Sequence, residues 1–137
     1  MFQKTIQIQT TQGLQDITSC VQDALVESQA TTGIVVVFCP HTSCSLLLNE
    51  NTDADVQTDL ETFFAELVPQ HHSLYKHAYE GLDDMPAHIK VALTQSSLSI
   101  PFFENKLQLG VWQGLFLWEY REQPKERTII VSILTGK

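Results

Sequence analysis

From Phe2 to Gln9 apolar and polar side chains alternate, with Phe2, Ile6 and Ile8 set against Gln3, Thr5, Gln7 and Gln9. That period of two predicts a half-buried strand, and Gly13 marks the turn after it. Thr18 stands as a cap before a helix whose inner face reads Val21, Ala24, Leu25 and Ser28, closed by Thr31, Thr32 and Gly33. Ile34 to Phe38 is wholly apolar and predicts a buried strand. Pro40 has no amide hydrogen, so this strand ends near Cys39 and delivers His41-Thr42-Ser43 at its exit, before Cys44 to Leu48 resumes as another strand. Val56, Leu60, Phe63, Phe64 and Leu67 then recur at helical spacing up to Pro69. Gln70 to Asp83 shows no period and reads as a long loop, of the kind that in compact domains is functional or disordered. Asp84 before Met85-Pro86 predicts a capped helix start, with His88 in the first turn. The remainder is strand-like, in four segments: Leu98 to Phe103, Leu107 to Gln113, Leu115 to Arg121 and Arg127 to Leu134. Short connections between them favour antiparallel neighbours. The expected architecture is α+β, an antiparallel sheet or sandwich with about three packed helices, in a single domain over residues 1–137.

Composition narrows the functional classes. The net charge of -8 from eight basic and sixteen acidic side chains argues against a nucleic-acid partner, which requires a basic face to exchange counterions with phosphates. No apolar run approaches the roughly 20 residues that span a bilayer, so a membrane role is not expected. Three cysteines, Cys20, Cys39 and Cys44, cannot all pair within one chain, and the first residues lack a signal-like pattern, so a reduced, cytoplasmic protein is expected.

Tyr75 to Lys90 concentrates the groups that do chemistry: His77, Glu80, Asp83, Asp84 and His88. Near the positive end of a helix imidazolium is disfavoured, so His88 is expected as the neutral form that ligates metals or takes protons. His41, from the exit of the third predicted element, makes a third histidine. Three neutral imidazoles with an open fourth position would suit a catalytic zinc ion. Cys39-Pro40-His41-Thr42-Ser43-Cys44 lacks a second pair of cysteines, so the sulfurs read as packing, with Cys44 the one closer to a pocket. Gly110 and Gly114 do not form a phosphate loop and mark a bulge or a close backbone approach. Gln113, between Trp112 and Gly114, points either into the core or into a pocket. Arg127 offers a fork for an anion, or a surface ion pair with Glu126 or Glu122.

Taken together these residues resemble the YjbQ-like family, also known as secondary thiamine-phosphate synthase. The resemblance runs from the first strand to the last. Its motifs are His41-Thr42-Ser43, Asn49-Glu50-Asn51 with Asp53, Tyr75-x-His77 with Glu80-Gly81, Asp83-Asp84-Met85-Pro86-Ala87-His88, Leu109-Gly110-x-Trp112-Gln113-Gly114, and Glu119 with Arg127. The chain departs from the family pattern at Gln95, Glu104-Asn105-Lys106 and Val111, positions that bear on loop shape. The resemblance implies a homotrimer with a histidine-lined pocket for a metal ion or a phosphate-like anion, and a weak or secondary ability to join the pyrimidine and thiazole halves of thiamine phosphate. The expected site has His41, His77 and His88 holding a divalent ion, zinc by ligand type or magnesium with a diphosphate substrate. Glu80 or Asp84 serves as acid/base, and Ser43, Gln113 and Arg127 contact the anion of a small phosphorylated metabolite. The alternatives are a metal-dependent hydrolase of such a metabolite and a non-catalytic binder.

Overall fold

The alternating N-terminal segment forms β1 (Phe2–Thr10) in the computed structural model, which describes residues 1–136. It is followed by β2 (Gly13–Asp16), α1 (Thr18–Ser28), β3 (Thr32–Phe38), β4 (Cys44–Glu50), α2 (Ala54–Leu67), α3 (Asp84–Leu93), β5 (Ser97–Phe103), β6 (Lys106–Leu107), β7 (Gln113–Glu119) and β8 (Lys125–Thr135). The strands build two antiparallel sheets, one ordered β1-β8-β3-β5-β6 and the other β2-β7-β4. Three helices on antiparallel sheets make this the expected α+β fold.

Apolar residues from both sheets and from α1 share one core. Val35, Val37, Ile100, Phe102 and Ile129 of the larger sheet meet Leu46, Leu115 and Leu117 of the smaller one, together with Val21, Ala24 and Leu25 of α1. The smaller sheet is also covered on its other face. There Trp118 and Tyr120 pack with Ala87 and Val91 of α3 and with Leu60 and Phe64 of α2, the Phe64 and Trp118 rings lying 4.6 Å apart. With apolar neighbours on both sides, β7 reads as a continuous hydrophobic run.

Several local features differ from the sequence reading, among them the strand expected from Leu107 to Gln113, where β6 stops at Leu107 and β7 starts only at Gln113. Gly13 opens a strand, since residues 13–16 pair with the far end of β7. Thr18 is the first residue of α1, after Ile17 at the cap position, and its hydroxyl accepts from the Leu115 amide. The helix predicted from Val56 to Leu67 forms, capped by the Asp53 carboxylate accepting from the Asp55 amide, but its apolar stripe is not buried. Leu60 and Phe64 reach the sheet, whereas Phe63 and Leu67 stay 60% and 54% exposed. Spacing reported the stripe correctly and could not report what covers it.

Candidate metal centre

Asp83 occupies the cap position of α3 without a capping bond of its own side chain. Its carboxylate accepts instead from Arg121 Nε at 3.0 Å and from the Glu122 amide at 2.8 Å, which ties the helix start to the turn after β7. Asp84 follows in the first helical turn and is buried. Its Oδ1 accepts from Arg121 Nη1 at 2.7 Å, and Arg121 Nη2 donates to the Glu80 carbonyl, so one guanidinium fixes the loop and both carboxylates.

That arrangement aims Asp84 Oδ2 at two imidazoles. His77 Nε2 lies 2.7 Å away, from the loop before α3, and His88 Nε2 lies 3.0 Å away, one turn along the helix. The three ligand atoms fall within 4.8 Å of one another, and the two imidazole rings meet edge to face with centroids 5.2 Å apart. Burial pushes the Asp84 carboxyl up, but the His77 hydrogen bond, the His88 charge and Arg121 outweigh it and hold the group below its ordinary value.

The other nitrogen of His88 decides what the cluster can hold. His88 Nδ1 lies 2.7 Å from the Thr42 carbonyl, an atom that only accepts, so Nδ1 carries a hydrogen. In a neutral ring Nε2 is then a lone pair facing a carboxylate oxygen. Two acceptors at 3.0 Å require a cation between them, either a proton on the ring or a metal ion. Zinc bonded at about 2.0–2.2 Å spaces such donors by roughly 3.3 Å, so only small shifts separate this arrangement from a ligand set. A backbone carbonyl that orients the distal nitrogen of a metal-binding histidine is the usual supporting contact.

His41 stands apart from this cluster. Its Nε2 accepts from the Thr128 amide at 2.9 Å, and Asp84 takes the third place beside His77 and His88. Burial, then the nearby Arg127 charge, lower the pKa of His41. Because the unfolded chain gains a proton on this ring near pH 6.5 while the folded chain does not, stability falls as pH drops below about 6.5 and until the folded pKa is passed. We expect the urea midpoint to decline over that range, and to decline less in His41→Gln, whose amide oxygen still accepts from Thr128. Equal slopes for the two proteins would show that His41 is not held neutral.

The remaining expected residues separate. Ser43 and Arg127 do meet, with Nη2 donating to the Ser43 hydroxyl at 2.8 Å. The fork of Arg127 is nevertheless closed on Glu119, both contacts being 2.6 Å, in the core and not with Glu122 or Glu126 at the surface. Gln113 lies at the other end of β7, about 20 Å along a strand of this length, and its Oε1 accepts from the Gly110 amide at 2.8 Å. Glu80 contributes its carbonyl rather than its carboxylate. His71 and His72 are exposed, as expected. Sequence reasoning missed Arg121, for which no local motif speaks.

A family model described as UPF0047 protein YjbQ-like matches residues 3–136. The chain belongs to this family. A UPF0047 protein of Synechocystis sp. is 50% identical over 125 residues, covering 90% of this chain and 85% of its own length. The UPF0047 protein YjbQ of Escherichia coli O157:H7 is 37% identical over 134 residues, 96% of each chain. Among solved structures, an uncharacterised YjbQ/UPF0047 protein from Clostridium acetobutylicum is 36% identical, with a TM-score of 0.85 over 98% of this chain and 100% of that one. A YbjQ-like protein of unknown function from Sulfolobus solfataricus reaches a TM-score of 0.88 at 28% identity, over 98% and 97% of the two chains. The family match extends over the two sheets, the loop from α2 to α3 and all the residues of the cluster.

Proposed function

We propose that this YjbQ-family chain holds a divalent metal ion through His77, Asp84 and His88 and uses it on a small phosphorylated metabolite. The observation that carries this reading is the convergence of His77 Nε2, Asp84 Oδ2 and His88 Nε2 within 4.8 Å of one another, with His88 Nδ1 engaged by the Thr42 carbonyl. Two histidines and one carboxylate with room for a fourth partner match the donor sets of catalytic zinc sites. When bound, such an ion polarises a phosphoryl oxygen and makes a bound water nucleophilic at neutral pH. The chain's own residues hold the site in place: Arg121 fixes the Asp84 rotamer, and Thr42 fixes the ring of His88. Both arginines of the chain are engaged by carboxylates, so an incoming anion finds no free guanidinium, and its charge falls to the metal.

Metal-assisted hydrolysis fits this donor set better than joining the halves of thiamine phosphate. That reaction releases pyrophosphate, which is ordinarily handled by Mg²⁺ with carboxylates and waters. We therefore propose formation of thiamine phosphate only as a side activity. Self-association into the trimer that the family resemblance implies is supported by the outer face of α2, where Phe63 and Leu67 are exposed.

The test is competition dialysis of untagged protein against a zinc chelator, followed by hydrolysis of a simple aryl phosphate with and without one equivalent of zinc. We expect one ion per chain and zinc-dependent turnover. Absence of bound zinc at micromolar free metal would remove the reading. Zinc binding without turnover would leave a binder and remove the enzyme.

A further inference from the structure

Cys39 and Cys44 close the base of the β3–β4 connection. Cys39 ends just beyond β3, and Cys44 opens β4; their sulfurs are 3.5 Å apart, and both residues are buried, at 2% and 0% exposure. Between them lie four residues, three of which contact other segments, and Thr42 is the one that contacts the cluster. His41 accepts from the Thr128 amide, the Thr42 carbonyl accepts from His88 Nδ1, and Ser43 accepts from Arg127. The Cys39 amide is pinned to the Ser96 carbonyl at 2.8 Å. Apolar packing alone explains one buried cysteine, but it does not require two sulfurs in contact at the two ends of a six-residue loop.

We propose that Cys39 and Cys44 form a reversible dithiol/disulfide site, oxidised by a small hydroperoxide, whose closure shifts Thr42 and so weakens the hold of the His77–Asp84–His88 cluster on its metal. The pair is chemically asymmetric. The Cys44 thiol hydrogen bond lowers the pKa of Cys39, although burial opposes it, with help from the His41 amide and the Arg127 charge. The same hydrogen bond, with burial, pushes Cys44 up. The reaction is written with Cys39 as the attacking sulfur and Cys44 as the resolving one, and it balances equally with the two exchanged.

The Cys39 thiolate attacks one peroxide oxygen, the O–O bond breaks, and hydroxide leaves, giving the sulfenic acid. The Cys44 sulfur then attacks the Cys39 sulfur, the S–O bond breaks, and the Cys44 proton and the expelled oxygen leave as water. The hydroxide of the first step takes up the proton lost when Cys39 ionised. In sum two thiols and one hydrogen peroxide give a disulfide and two waters: the sulfurs lose two electrons, and the peroxide gains them. A disulfide bond is about 2 Å long, so the two sulfurs, 3.5 Å apart as thiols, draw together by about 1.5 Å, and this closure acts on the loop that carries the Thr42 carbonyl.

The effect on metal rests on the reading of the cluster given above; formation of the disulfide does not. The test uses the Cys20→Ser chain, which retains only the pair. Folded protein is treated with hydrogen peroxide, unreacted thiols are alkylated after denaturation, and peptides are mapped. We expect a Cys39–Cys44 link that dithiothreitol reverses, and zinc affinity lower by about 10- to 100-fold in the oxidised form, the scale of losing a supporting contact to a ligand. Adding Cys39→Ser is expected to abolish both changes, and Cys44→Ala repeats this control should serine in the core unfold the chain. Two alkylated thiols, or sulfinic acid without a link, would overturn the site. A link that leaves zinc affinity unchanged would overturn its coupling to the metal. A link in a chain that binds no zinc in either form would dispose of the metal reading and of the coupling, leaving the dithiol standing.

Discussion

Asp84→Asn is expected to lower zinc affinity by at least about 100-fold, more than loss of a supporting contact costs, because it removes a ligand oxygen and its charge together. Asparagine keeps an oxygen that accepts from Arg121 Nη1, but it turns an amide NH₂ toward His77 and His88 in place of Oδ2. Such a group satisfies the lone pair of His88 Nε2 and cannot share a metal with it. The structural cost is smaller. Asp83 still pairs with Arg121 Nε, so the guanidinium retains a counter-charge, and we expect about 1–3 kcal/mol of destabilisation rather than the 3–5 of a fully broken buried pair. Acid dependence supplies a second readout. Asp84 has a folded pKa below its unfolded one, so its stabilisation is complete above the unfolded value and disappears as pH falls through the folded value. In Asp84→Asn that share of acid lability is missing, and the urea midpoints of mutant and parent should approach one another on acidification from neutral pH toward pH 3. If zinc affinity at neutral pH moves less than tenfold, Asp84 is not a ligand.

Local chemistry explains why half of this site is legible in the chain. Asp84 and His88 are four residues apart on one helix, and the helix announces itself through Met85-Pro86, so their shared face follows from helical geometry. His77 arrives from a loop without period, and only the density of ligating groups there points to it. His41 belongs to a motif that looks equally chemical, yet the register between β1, β8 and β3 puts the Thr128 amide against its ring. That register is a property of the whole sheet and leaves no mark within residues 39–44. Arg121 is similarly invisible: it lies just past the end of β7, and its partners Asp83 and Asp84 come from a distant segment, whereas Glu119 with Arg127 is marked only by the family resemblance. The strand patterns set the class of fold because burial on one face imposes a period of two, and α2 shows the limit of that logic. Its stripe of Val56, Leu60, Phe63, Phe64 and Leu67 identifies a helix, but no residue of the helix is buried. Of that stripe, Leu60 and Phe64 pack against the buried Ala87, Trp118 and Tyr120.

Arg127→Met should be strongly destabilising, by about 3–5 kcal/mol in urea unfolding at pH 7. Glu119 is wholly buried, and without the guanidinium it keeps only the Thr10 hydroxyl at 2.6 Å and the Arg121 amide at 3.2 Å. In the parent protein burial raises the Glu119 carboxyl, but hydrogen bonds from Arg127 and Thr10 outweigh it and bring the group below its ordinary value. Its stabilisation is therefore present above the unfolded pKa and lost as pH falls through the folded one. Removing Arg127 reverses the sign: burial then dominates, the folded pKa rises above the unfolded value, and the mutant should gain stability relative to the parent as pH is lowered from 7 toward about 4.5. The double change Glu119→Gln with Arg127→Met leaves no charge at this place in the core and should recover a large part of the loss, a coupling of about 2–3 kcal/mol between the two positions. An arginine that waits for a substrate anion behaves otherwise. It is paired weakly or not at all in the free protein, so its loss changes stability by less than about 0.5 kcal/mol and its coupling to Glu119 is near zero. The double-mutant cycle thus separates the two roles without knowledge of the substrate.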